Sequence, residues 1–191
     1  MSMYFAKIIL ASASPRRQEL LREAGISFAV HPAEVDEELL PGELPAVSVM
    51  RLAALKAAAV AAQHPGSLVL GADTLVVLDG KMFGKPADFA DACRMLKELS
   101  GRTHEVLTGV SLVEYGQPAY TWCSKTLVTF KILRDEQIAA YFRLVNPLDK
   151  AGSYAIQEHG DLLVEGIQGL LSNVIGLPVE EVVRKLQELQ E

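Results

Sequence analysis

Serines, a proline and two arginines crowd residues 12 to 21, SASPRRQELL, directly after the apolar ILA at 9 to 11. Pro15 suits the first turn of a helix, where its missing N–H costs nothing, and Ser14 stands where an N-cap would. The free N–H groups and positive end of such a helix favour phosphate. Arg16 and Arg17 would add forked cationic donors there, and Ser12 and Ser14 would add hydroxyls. The plainer alternative is a capped surface helix with two solvated arginines.

Further along, Asp73 follows the apolar LVLGA and precedes Thr74. From that place a carboxylate can reach into a cleft, or it can simply end a strand by bonding its own backbone. Lys56 interrupts the alanines of LAALKAAAV, either as a surface residue lying along its own apolar stem or as a charge pointed into a cleft. Lys85, between Gly84 and Pro86, sits on a loop of restricted shape, which suits a fixed phosphate contact. The acidic run Glu34, Asp36, Glu37 and Glu38 reads as a solvated loop or as a source of the one or two carboxylates that Mg²⁺ takes beside phosphate and water. Gln157 closes a Y-x-I-Q element, and its amide sets a donor beside an acceptor, a pair that can match the N3–H and O4 edge of uracil or thymine. His31, His64, His104 and His159 are far apart and show no ligand spacing, so each reads as structural or solvated.

Composition narrows the classes. The net charge of −6 disfavours a protein that coats nucleic acid, so any phosphate site must be local. GKMFGKP is not a Walker A loop and no GxGxxG follows a strand, which excludes the kinase and dehydrogenase readings. The N-terminus reaches charge and serine too soon for a signal peptide, and no apolar run approaches membrane-spanning length; the expected location is the cytoplasm. Cys93 and Cys123, isolated from one another, are expected to be reduced and packed.

The elements that must position these residues alternate. Strands are expected at 7 to 11 and 26 to 31, with a helix from Pro15 to about Ala24 between them and a long alanine-rich helix from about Pro45 to Gln63 after the acidic loop. SLVLGADTLVVLDGK reads as two apolar halves flanking a polar pair, with Asp79-Gly80 as a hairpin turn. A helix over 88 to 99, paired strands over 104 to 115 and 118 to 131, a helix over 135 to 144, a strand over 162 to 167 and an amphipathic helix over 179 to 190 complete the chain. Such an order predicts an α/β domain with a mixed twisted sheet, flanking helices and a cleft, as one domain over residues 1 to 191.

Six segments, SASPRRQELL, AEVDEE, GADTLVVLDGKMFGKP, LSGRTHEVLTGV, PLDKAGSYAIQ and SNVIGLP, are similar in type and order to those of the Maf family of nucleoside triphosphate pyrophosphatases. The resemblance implies an elongated two-lobed α/β fold with a central cleft, similar to the inosine triphosphate pyrophosphatases. It implies Asp73 as general base for the water that attacks phosphorus, and a divalent metal, Mg²⁺ or Mn²⁺, held through Asp36 and Asp73. Ser12, Arg16, Lys56, Thr74, Lys85 and Gln157 become substrate contacts, with Thr74 a position of substrate choice. The Arg16/Thr74 pair and the Gln157 segment look like the branch acting on dTTP and UTP, giving monophosphate and pyrophosphate in nucleotide-pool house-cleaning. The branch acting on methylated guanosine triphosphate and a nucleotide-binding regulator of cell division are the alternatives. The expected partner is a nucleoside triphosphate, not a nucleic-acid polymer or a membrane, with room for a homodimer.

Overall fold

The computed structural model describes residues 8–189. Its chain groups into two compact units. The first holds the residues up to Asp73, Thr108–Ser124 and the stretch from Gly176 on; the second holds Thr74–Leu107 and Lys125–Ile175.

In the first unit β1 (Ile8–Leu10) is buried along its whole length, as an apolar strand with parallel neighbours on both sides must be. It pairs in parallel with β2 (Ala29–Val30) and with the start of β3 (Leu68–Leu78), Ile9 facing Ala29 on one side and Val69 on the other. Helix α1 (Pro15–Glu23) separates β1 from β2, and Gly25, at φ 71°, turns the chain out of it. The strand expected over 26 to 31 is thus only two residues long, because Ile26 is buried as part of the turn. Helix α2 (Pro45–Ala61) packs its alanines against these strands, joining Ala57, Val60 and Ala61 to Ile9, Ala11 and Val69. Helix α6 (Val179–Glu188) offers Glu181, which accepts from Trp122 Nε1 at 2.8 Å and from Ser124 Oγ at 3.1 Å.

In the second unit the end of β3 turns at Asp79-Gly80 (φ 49° and 79°) into β4 (Lys81–Phe83), the two-residue hairpin that Asp-Gly favours. Helix α3 (Phe89–Leu99) starts at Asp88, whose carboxylate accepts from Asp91 N at 2.8 Å. Strands β5 (Thr103–Glu114) and β6 (Tyr120–Phe130) contribute to both units. Their contacts run in opposite order, Thr103 with Thr129 and Ser111 with Thr121, each at 2.8 Å, as antiparallel pairing requires. Helix α4 (Asp135–Leu144) and strand β7 (Val164–Gln168), antiparallel to β6, follow. A core of Val76, Phe83, Leu96, Leu99, Phe130 and Tyr141 fills this unit. The strand order is β2-β1-β3-β5-β6-β7 with β4 on β3, a sheet mixed in direction as expected.

A short helix, α5 (Leu171–Ile175), runs into SNVIGLP; at five residues it is too short for apolar periodicity to announce it in the sequence. Cys93 and Cys123 are both free thiols. Among the described residues no helix is long and apolar enough to cross a membrane.

Candidate active site

Gly71 brings α2 onto β3. A Cβ at this position would lie 2.2 Å from the Ala53 carbonyl oxygen and 2.9 Å from Ala57 Cβ, so no other residue permits this approach. Strand residues two apart share a face, which turns Asp73 toward the same helix, and helix residues three and four apart share one too, which sets Lys56 beside Ala53 and Ala57. Lys56 Nζ donates to Asp73 Oδ1 at 2.8 Å and to Glu37 Oε2 at 2.7 Å. Lys56 and Asp73 are only 7% and 8% exposed, whereas the Glu37 side chain is 57% exposed. The ammonium therefore links a buried carboxylate to one that reaches solvent.

Two arginines of α1 belong to the same neighbourhood. Ser14 caps the helix, accepting from Arg17 N at 3.5 Å, and Pro15 opens it. The Arg17 guanidinium donates to Ser12 Oγ at 3.2 Å and to the Gly176 carbonyl at 2.8 Å. Burial lowers its pKa, the field of Asp73 opposes that, and Arg16 and Glu37 act on it with opposite signs. Arg17 stays charged under any physiological condition, so the structure sets a fixed cation, with Arg16 next to it, in the field of Asp73.

The acidic loop is tied to α2 by a second pair. Arg51 forks onto Glu43 with two contacts of 2.8 Å and donates to the Glu38 carbonyl at 3.0 Å, while Ser48 Oγ donates to Glu43 at 2.7 Å. The hydrogen bonds from Arg51 and Ser48 hold the Glu43 carboxyl down at about 2. Asp36 Oδ1 accepts from Glu38 N at 3.0 Å, bracing the loop on itself. Among the described residues no three His, Cys, Asp or Glu side chains gather as a ligand set. Taken singly, Asp73, Asp36 and Glu37 offer hard carboxylate oxygens, the donor type of which Mg²⁺ takes one or two from protein when phosphate oxygens and water fill its other positions.

The second unit carries the remaining candidates. Lys85 is exposed on the loop after β4, and the Gly84 carbonyl before it accepts from Gly152 N at 3.0 Å. Gln157 is exposed at the end of a segment whose Tyr154 and Ala155 are buried. Thr74 is half-buried in β3, and strand alternation turns it to the face opposite Asp73.

A family model described as "Maf-like protein" matches residues 7–189, a stretch that runs through both units. The chain belongs to the Maf family. It is 51% identical over 186 residues to a protein of Geobacter metallireducens named dTTP/UTP pyrophosphatase, covering 96% of each chain. A Symbiobacterium thermophilum protein of the same name is 50% identical over 182 residues, covering 95% of this chain and 93% of its own. A HAM1 protein from Coxiella burnetii superposes with a TM-score of 0.47 at 22% identity, over 65% of this chain and 72% of its own.

In this Maf chain the structure brings Lys56 and Asp73 into contact and sets Arg17 in the field of Asp73. Asp73 does not end a strand: β3 runs unbroken through GADT, because Lys56 supplies the partner that a buried carboxylate needs. Lys56 is likewise not a solvated helix residue. His31 and His64, 33 residues apart, meet with ring nitrogens 2.7 Å from each other, a pairing that spacing gave no sign of. Sequence reasoning passed over Glu37 as the loop residue on Lys56, and over the Arg51–Glu43 clamp. Sequence offered no signal for either, since Arg51 and Lys56 stand five residues apart on the helix, off a common face, and nothing in a loop's composition tells which of its carboxylates turns inward.

Proposed function

We propose that this Maf protein hydrolyses dTTP and UTP at the α–β phosphoanhydride, releasing the monophosphate and pyrophosphate. The observation that carries the reading is identity of about half of all residues, over nearly the whole chain, with proteins named dTTP/UTP pyrophosphatase. The Lys56–Asp73 pair supports it, because a buried carboxylate is costly unless paired, and here its partner at 2.8 Å holds it in one orientation, as a base that must meet a water requires.

In this reading Asp73 takes a proton from water as the water oxygen bonds to the α-phosphorus, and the α–β bond breaks with its electron pair leaving on pyrophosphate. Lys56 fixes the orientation of the Asp73 carboxylate. Arg16, Arg17 and Lys85 offset charge on the phosphoryl oxygens, with Ser12 holding the Arg17 guanidinium in place and the α1 N-terminus adding its free N–H groups. Asp73 and the acidic-loop residues Asp36 and Glu37 would hold a divalent cation, Mg²⁺ or Mn²⁺, which when bound withdraws charge from the phosphate oxygens. Gln157 reads the pyrimidine edge through its amide, and Thr74 contributes to substrate choice.

The test is release of pyrophosphate from a panel of nucleoside triphosphates, methylated guanosine triphosphate included, with Mg²⁺ or Mn²⁺ added in turn. Turnover of dTTP and UTP above the purine nucleotides is the expected result. Binding without turnover of any nucleotide would overturn the reading in favour of a regulator.

A further inference from the structure

Gln157 stands on a segment that is gripped from outside at successive points, all within the second unit. Gly152, at φ 67° and with no room for a Cβ beside Val76, donates its N–H to Gly84. Ser153 Oγ contacts Met95 Sδ at 3.1 Å. The Tyr154 hydroxyl lies 2.9 Å from His104 Nε2, and its ring packs edge-on against Phe130 at 4.8 Å between centroids. The last grip before Gln157 comes from α4. There the hydroxyl of Tyr141, a fully buried residue, accepts from Ala155 N at 3.0 Å and donates to Ala155 O at 3.4 Å. Phenylalanine would fill the same volume in this core. What the hydroxyl adds is a hold on both polar backbone groups of Ala155, two residues from the exposed amide.

We propose that the Tyr141 hydroxyl is a positioning group for base recognition: by holding the backbone of Ala155 it fixes where the Gln157 amide stands, and so sets the affinity of this protein for the pyrimidine base. The proposal rests on the reading of Gln157 given above. Tyr141 touches no substrate in this scheme and acts only through the segment. Because Gly84 is bonded to Gly152, the same framework also steadies the loop that carries Lys85.

A double-mutant cycle on the full chain separates positioning from general damage. Tyr141→Phe is expected to raise KM for dTTP and UTP about tenfold, the usual size of a lost hydrogen bond, with kcat within about threefold of the parent. In a Gln157→Ala background the same change should leave KM where Gln157→Ala alone put it. Lactic acid incorporated in place of Ala155 turns the preceding peptide bond into an ester, which removes the N–H donor to the Tyr141 hydroxyl without adding an atom to the core and leaves Tyr141 in place. The ester should reproduce the KM rise and keeps the test alive should Tyr141→Phe fold poorly. A silent Gln157→Ala overturns the base reading and the proposal with it. An effective Gln157→Ala overturns the proposal alone if Tyr141→Phe leaves KM unchanged, or raises it equally in both backgrounds.

Discussion

Lys56 reaches Asp73 at 2.8 Å across a helix–strand contact that exists because Gly71, on the same face of β3, has no side chain to hold α2 away. The pair is thus a consequence of backbone approach as much as of charge, and its first test is steric.

Gly71→Ala should disrupt the pair without touching a charged residue. The added methyl would meet Ala53 O at 2.2 Å, so α2 must shift; overpacking of this kind costs about 1–3 kcal/mol, occasionally more. The expected outcome is a lowered melting temperature and a larger fractional loss of turnover than of stability. Unchanged melting would mean that the helix moves freely.

Asp73→Asn should lower kcat by roughly 10²–10⁴-fold, the worth of a general base, while the fold survives. Lys56 keeps Glu37 as a partner in this variant, so its ammonium is not stranded. Lys56→Ala, by contrast, leaves Asp73 buried without its cation and should cost about 3–5 kcal/mol of stability. Thermal melting beside pyrophosphate release distinguishes the two. Near-normal turnover of the asparagine variant would sink the assignment of Asp73.

Gln157→Glu keeps the size of the side chain and replaces its amide donor with a charged acceptor. Facing O4 of uracil or thymine, that carboxylate forms an unmatched pair costing on the order of 1–3 kcal/mol when buried. The loss in kcat/KM should fall on dTTP and UTP, while CTP, whose exocyclic amine donates at that edge, suffers less or gains. A uniform drop over the three nucleotides would assign Gln157 to loop support.

His104 should make stability depend on pH. Burial lowers its pKa from 6.5 to about 4, so the folded protein keeps the ring neutral while the unfolded chain takes up a proton below pH 6.5. Its contribution is fully present above that value and is lost as pH falls toward the folded value. The loss between about pH 7 and about pH 5 amounts to about 2 kcal/mol. Urea unfolding of the parent and of His104→Gln across this range measures it; parallel curves for the two proteins would rule His104 out.

Much of the fold was legible because it depends on local order. Ser14 and Pro15 start α1, Asp79-Gly80 turns the β3–β4 hairpin, and α4 spans the residues its periodicity gives. The residue types at positions 16, 56 and 73 each allowed a plain structural reading as well as a phosphate-handling one; it was six segments in their order along the chain that resembled the Maf family, the family whose model matches residues 7–189. What remained open was which charges meet. Lys56 among alanines looks the same in sequence whether it faces solvent or Asp73, and the choice was made by Gly71, which sets the distance between two elements rather than the structure of either. Glu37 rather than its acidic neighbours closes on Lys56 because Arg51 and Glu43 anchor the loop at Glu38, and His31 meets His64 only because β2 and the end of α2 come together. Side-chain pairing between elements distant in sequence is decided by backbone approach and burial, which one-dimensional spacing does not encode; only the tertiary structure supplied it.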